Sequence, residues 1–84
     1  MKIVFADRGW EDFSYWVKYD RKIAARIVRL IREIEREPCE GLGKPEPLRH
    51  ELHGFWSRRI TDEHHLVYAV DKGQVLIAQA RYHY

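Results

Sequence analysis

Apolar residues recur at helical spacing in the first half of the chain. Residues 21–36 are predicted to form an amphipathic helix, because one side of it would carry an unbroken apolar stripe. Asp20 is a typical N-cap for this helix, and Pro38 is expected to end it. The stripe consists of five aliphatic side chains: Ile23, Ile27, Leu30, Ile31 and Ile34.

Two shorter elements are predicted before this helix. Residues 2–6 alternate weakly between polar and apolar and indicate a strand. A helix over residues 9–19 is expected to follow, capped by Asp7 or by the Asp–Arg–Gly turn. Its aromatic content is high: Trp10 is expected to pack in the core, whereas Trp16 fits a core position and a partner surface equally well.

The second half of the chain has the pattern of strands. All three prolines lie in residues 38–47, together with two glycines, so this segment is predicted to be a loop. Beyond it, glycines and polar clusters separate four strand-like segments, and an Asp–Lys–Gly turn at 71–73 precedes the last one. The four predicted strands are residues 48–52, 55–60, 65–70 and 75–82.

The predicted order is βααββββ, which favours an α+β fold. Short links between the last four strands indicate a mainly antiparallel sheet, with the two helices packed on one of its faces. The 84 residues are expected to form a single domain.

Composition narrows the class of protein. A hydrophobic share of 45% with 13% aromatic residues is typical of a globular domain and too rich for a disordered one. A single cysteine, Cys39, excludes an internal disulfide framework. No signal peptide or membrane-spanning segment is recognisable, so a cytoplasmic protein without a membrane partner is expected.

The charge is weak overall but locally basic. The formal net charge is +2, yet residues 44–59 contain four cations, and Arg81 stands near the C-terminus. Such a patch fits a phosphate backbone or an acidic protein partner, and a merely solvated face is equally compatible with it. The four cations are Lys44, Arg49, Arg58 and Arg59.

Glu46 and His83 are the candidate acid–base groups. Glu46 lies between two prolines, which hold it in an extended conformation as a general base or as a solvent-facing loop residue. His83 is suited to proton transfer near neutral pH. Arg81 is expected on the same strand face as His83, where it would serve as a phosphate ligand or belong to a surface stripe. A base, a proton donor and cations are what metal-free RNA cleavage requires.

The remaining aromatic and histidine residues support other functions less well. Tyr82 is expected to pack in the core, with base stacking as the alternative. The five histidines do not show metal-ligand spacing, and His64 and His65 would face opposite sides of a strand, so neither a metal site nor a cofactor is predicted.

Four segments, in this order, resemble the YoeB family of RelE-superfamily toxins along the whole chain: EGLGKPEPL, GFWSRRIT, EHHLVYAV and the terminal RYHY. The resemblance implies a microbial-ribonuclease-like fold and cleavage of mRNA in the A site of the 70S ribosome. It also implies silencing by a flexible YefM-like antitoxin. Whether the toxin is a monomer or a homodimer is left open.

The resemblance also implies roles for individual residues. Glu46 matches the family's general base and His83 its general acid, while Tyr84 matches a terminal tyrosine that places the substrate. Arg49 and Arg59 match positions that meet RNA phosphate, and Lys44 lies in the same basic segment.

His65 departs from the family pattern, which has arginine at this position. Arginine is always charged and grips phosphate with two bonds, whereas histidine is mostly neutral at pH 7. His65 is therefore a weaker, pH-sensitive clamp, or Arg59 or Arg81 takes over its role, or the protein is less active. Two other functions stay open: a ParE-like gyrase poison that needs no acid–base pair, and a catalytically weak toxin acting mainly as a repressor's partner.

Overall fold

The computed structural model describes all residues from Met1 to Tyr84. Five strands form one sheet in the order β1-β5-β4-β3-β2, in which only the β1–β5 pair is parallel. Two helices pack on this sheet, so the predicted α+β fold is confirmed. The elements are β1 (Lys2–Phe5), α1 (Asp7–Tyr19), α2 (Arg21–Arg36), β2 (Glu46–Pro47), a 3₁₀ helix (His50–Leu52), β3 (Trp56–Arg59), β4 (His65–Asp71) and β5 (Gln74–Gln79).

Helix α2 forms as its pattern predicts. The Asp20 carboxylate accepts hydrogen bonds from the backbone N–H groups of Lys22 and Ile23, which satisfies two donors at the helix N-terminus. Four of the five stripe residues are buried against the sheet, where they meet Tyr68 and Ile77 among others. No helix is long and apolar enough to cross a membrane.

Two of the predicted strands are wrong, and the predicted loop over residues 38–47 ends in the two-residue strand β2. Residues 48–52 are not a strand, because His50 adopts a left-handed conformation (φ 57°) that turns the chain into the 3₁₀ helix. Leu48 before this turn is buried, and Leu52 at its end is half-buried. The last strand ends at Gln79 rather than at residue 82, and Tyr82 has a left-handed φ of 64°.

Two aromatic side chains predicted in the core lie at the surface instead. Trp10 is 57% exposed and Tyr82 is 52% exposed. Trp10 packs edge-on against Phe5 beside the edge strand β1, where no further layer covers it. Trp16, by contrast, is buried and donates its indole N–H to the carbonyl of Ala80 at 2.8 Å.

Helix α1 approaches β5 closely at Gly9. A Cβ atom built at Gly9 would overlap the backbone carbonyl oxygen of Ile77, which cannot move without disturbing the sheet. Gly9→Ala is therefore expected to destabilise the fold by about 1–3 kcal/mol through overpacking. Chemical denaturation measures this, with the exposed Glu11→Ala on the same helix as the control. Equal stability of the two variants would contradict the close approach.

The sheet has two chemically different faces. Side chains facing the helices include Leu66, Tyr68 and Ile77, which belong to the core. The alternate residues face the opposite, helix-free side, since successive strand residues point to opposite faces. Register places four polar side chains on that side: Glu46, Ser57, Arg59 and His65.

Candidate active site on the helix-free face of the sheet

Glu46 stands at the edge of the sheet and is exposed to solvent. It lies in the two-residue strand β2 and pairs with Ser57 of β3, so the sheet fixes a residue that the flanking prolines already hold extended. A shallow cleft of about 300 Å³ lies beside it. The cleft is lined by Glu46, Pro47, Leu48, Arg49, His50 and Tyr84.

The C-terminal tail, residues 80–84, brings His83 and Tyr84 to the same place. The His83 ring lies 4.7 Å from the ring of His65, centroid to centroid, and the Tyr84 ring lies edge-on at 5.5 Å from His65. His65 thus contacts both tail residues, and Tyr84 extends the group into the Glu46 cleft. The structure therefore brings together the four predicted catalytic residues: Glu46, His65, His83 and Tyr84.

His65 is the residue whose protonation the site perturbs. Partial burial lowers the pKa of His65 below its usual value, and the neighbouring charges of His83 and Arg59 lower it further, against the opposing effect of Glu46. Its buried Nδ1 has no hydrogen-bond partner. In the free protein, His65 is consequently a neutral imidazole at pH 7 rather than a standing cation.

Three of the five predicted cations lie at the surface of the protein. Lys44, Arg49 and Arg59 are exposed, and Arg59 is directly opposite His65 in the β3–β4 register. Its one ion pair, with the exposed Asp62, is long at 3.8 Å, which leaves the guanidinium available for a ligand. Arg49, which lines the cleft, and Arg59 can therefore meet an anionic substrate at the edge of the site.

Arg58 and Arg81 are placed differently from the sequence-based expectation. Arg58 is fully buried, so its assignment to a surface basic patch is wrong. The side chain faces the helices because residues alternate along β3. Arg81 stacks its guanidinium on the Tyr15 ring of α1 at 3.6 Å and on the Tyr82 ring at 4.6 Å. Strand β5 ends before Arg81, so the expected shared strand face with His83 does not form.

Sequence reasoning missed the residues that anchor the tail. The buried Asp12 carboxylate accepts a hydrogen bond from the Ala80 N–H at 2.9 Å, and Trp16 binds the Ala80 carbonyl. Gln79 donates its side-chain amide to two tail carbonyls. An aspartate and a tryptophan four positions apart on a helix carry no sequence signal for such contacts, because their partner is 64–68 residues away.

The arrangement suits acid–base chemistry on a phosphodiester. An exposed carboxylate and an exposed imidazole flank a surface rimmed by cations, as attack by a hydroxyl and departure of an alkoxide require. No three His, Cys, Asp or Glu side chains come together in a way that could hold a metal ion.

Known proteins resemble this chain over its full length. A sequence model of the YoeB-like toxins of bacterial type II toxin–antitoxin systems matches residues 5–84. Toxin YoeB of Escherichia coli strain K12 is 54% identical over 84 residues, which is 100% of both chains. The solved YoeB/ParE toxin from Agrobacterium tumefaciens superposes with a TM-score of 0.97 at 43% identity and covers 100% of both chains.

Two solved structures from Staphylococcus aureus are also similar, and each covers 100% of this chain and 98% of the other. One is a YoeB–YefM complex (TM-score 0.93, 41% identity). The other is a YoeB dimer (TM-score 0.94, 42% identity).

Proposed function

Because this chain belongs to the YoeB-like toxins of bacterial type II toxin–antitoxin systems, we propose that it is an endoribonuclease that cleaves mRNA in the ribosomal A site. The observation that carries the proposal is the meeting of Glu46, His83 and Tyr84 around His65 on one sheet face. A toxin acting by binding alone would not need an acid–base pair at this position.

Two of these side chains carry the proton transfers of the proposed reaction. Glu46 removes the proton of a ribose 2′-hydroxyl, whose oxygen attacks the adjacent phosphorus. The bond from phosphorus to the 5′-oxygen breaks, and His83 gives its proton to that oxygen. The products are a 2′,3′-cyclic phosphate and a 5′-hydroxyl end.

Exposed cations and the ribosome supply the rest of the catalytic power. Arg59 and Arg49 stabilise the negative charge that develops on the phosphorane oxygens. Because the site is a shallow cleft, it offers little surface for positioning a flexible RNA strand. Placement of the codon by the ribosome therefore provides the alignment, which gives large rate effects in enzyme reactions.

A reconstituted translation system tests this function. The untagged protein is expected to cut mRNA at defined positions only when ribosomes are present, leaving 2′,3′-cyclic phosphate and 5′-hydroxyl ends. End-labelling and phosphatase sensitivity identify these ends. Cleavage of naked RNA at the same rate would contradict dependence on the ribosome, and 5′-phosphate ends would contradict the mechanism.

We also propose that a YefM-like antitoxin binds this chain. The Staphylococcus aureus YoeB–YefM complex supports this partner, and the YoeB dimer from the same organism supports self-association. Size-exclusion chromatography with light scattering, with and without the co-expressed antitoxin, distinguishes monomer, dimer and complex.

A catalytically weak toxin is the second candidate, and the neutral state of His65 favours it. If a cation is needed at this position, His65→Arg is expected to raise cleavage about 10-fold at pH 8. The gain should shrink below pH 6.5, because acidification through the lowered pKa of His65 charges the wild-type imidazole as well. The ratio of the two rates should therefore increase with pH.

His65→Gln, neutral at every pH, serves as the control and should match wild type only at high pH. A ratio of rates that does not change between pH 5.5 and 8 would show that His65 does not act as a titrating clamp.

A further inference from the structure

The tail that carries His83 is not held by the sheet in the regular way. Strand β5 ends at Gln79, and the left-handed φ of Tyr82 prevents the tail from continuing as a strand. An unsupported C-terminal segment frays, which would leave the proposed acid without a fixed position. Something other than strand pairing must therefore hold residues 80–84.

The Gln79 side chain makes two contacts that fold the tail back on itself. Its Nε2 amide donates hydrogen bonds to the carbonyl oxygens of Arg81 (2.9 Å) and His83 (2.8 Å). Both protons of one amide group are thus used on two carbonyls, one of which belongs to His83 itself. Gln79 contacts neither Glu46 nor the cleft beside it.

A bulge in β5 aims Gln79 at the tail. Tyr68 pairs with Ile77 but Val67 pairs with Gln79, so Ala78 is an extra residue in β5. Regular alternation would turn the Gln79 side chain toward the helices with Val75 and Ile77. The inserted residue reverses the alternation, and Ala80 becomes fully buried instead.

As a result, the Gln79 side chain lies on the same face of the sheet as Glu46. Glu46 pairs with Ser57, Ser57 with Val67, and Val67 with Gln79, all across neighbouring strands. Paired residues share a face, so this row runs over the helix-free side from Glu46 to Gln79.

The tail residue between the two carbonyls is fixed as well. The Tyr82 N–H donates to His64 Nδ1 at 2.8 Å, and the Tyr82 carbonyl accepts from the His65 N–H at 3.0 Å. These two bonds tie Tyr82 to the start of β4, and the two Gln79 bonds tie the residues on either side of it.

We propose that Gln79 is a positioning residue for His83, clipping the C-terminal tail so that the imidazole stays against His65 on the catalytic face. This role rests on the proposed nuclease function. Since Gln79 does not line the cleft and bonds the tail through backbone carbonyls, it acts on the rate through the position of the tail.

The positioning role of Gln79 predicts which substitutions lower the rate of cleavage. Gln79→Ala removes both donors and is expected to lower kcat about 10-fold with KM little changed, because small misplacements of a catalytic group cost large factors in rate. Gln79→Glu has the same shape but sets a carboxylate against two carbonyl oxygens, so a larger loss is expected. Gln74→Ala, at the exposed opposite end of β5, is the matched control.

Steady-state cleavage of mRNA on programmed ribosomes, thermal unfolding and hydrogen exchange of the Tyr82 N–H test the proposal together. The expected result is a kcat order of wild type, Gln79→Ala, Gln79→Glu, with melting temperatures near wild type and faster exchange at Tyr82. In a His83→Ala background, Gln79→Ala is expected to cost less than about 2-fold, since no acid remains to be placed.

Two different failures can be told apart. In one failure, Gln79→Ala and Gln79→Glu cleave as fast as Gln74→Ala while His83→Ala is inactive. This result would exclude the positioning role of Gln79 but not the nuclease function. Gln79→Glu with wild-type kcat would do the same, because shape without donors would then suffice. Full activity of folded His83→Ala would overturn the nuclease function and the clip together.

Discussion

Loss of either proposed acid–base group is expected to lower ribosome-dependent cleavage by about 10²–10⁴-fold, the usual contribution of one positioned proton-transfer group. Glu46→Gln keeps the shape of the side chain but removes its capacity to take a proton from the 2′-hydroxyl. His83→Ala removes the proposed donor to the leaving 5′-oxygen. Both side chains are exposed, so neither change disturbs the core.

A matched control separates loss of the base from a general effect of removing a surface charge. Glu51→Gln, an exposed glutamate of the 3₁₀ helix outside the cleft lining, is the matched control for Glu46→Gln. Wild-type cleavage by a folded Glu46→Gln protein would exclude Glu46 as the base.

Arg58→Met is expected to destabilise the protein by about 3–5 kcal/mol, because it leaves the buried Tyr68 hydroxyl and three partly buried loop carbonyls without their donor. The fully buried guanidinium donates to the Tyr68 hydroxyl and to three carbonyls of the loop before Glu46, at 2.5–3.1 Å. The three carbonyls belong to Glu37, Glu40 and Leu42. Tyr68 adds a bond from its hydroxyl to the Pro38 carbonyl at 2.7 Å.

Arg58→Lys should be destabilising as well, since an ammonium has three donors and no planar fork to reach carbonyls on separate residues. Chemical denaturation of both variants measures the effect. Arg59→Met is the matched control: it is the next residue and also an arginine, but it is exposed. Stability of Arg58→Lys equal to wild type would show that the charge matters and the fork does not.

Local patterns predicted both helices, although the expected cap of α1 is wrong: the helix begins at Asp7, with Ala6 as N-cap and no side-chain cap. The α2 stripe and its Asp20 cap predict the helix from side-chain spacing and one capping bond, both of which act within a few residues. Glu46 could be singled out because its two proline neighbours restrict the chain regardless of the fold. His65 could be singled out by comparison with the motif of the family that the chain resembles.

Periodicity failed where one residue changed the phase of the pattern. The left-handed turn at His50 breaks the predicted strand 48–52, and the extra residue Ala78 shifts the phase of β5. For the same reason, residues 75–82 seemed to be one strand with Arg81 and His83 on a common face. In the structure, Arg81 leaves the sheet to stack on Tyr15.

By itself, the sequence determined the fold class and the family, and it singled out the residues of the proposed catalytic cluster, because these depend on local spacing and on motifs that stay together. Only the tertiary structure showed that the buried Arg58 donates hydrogen bonds to the loop before Glu46, and that Gln79 donates hydrogen bonds to the C-terminal tail. Those roles depend on the strand register and on carbonyl groups brought close from distant parts of the chain. Backbone carbonyls are the same at every residue, so no side-chain pattern in the sequence marks which of them will need a donor.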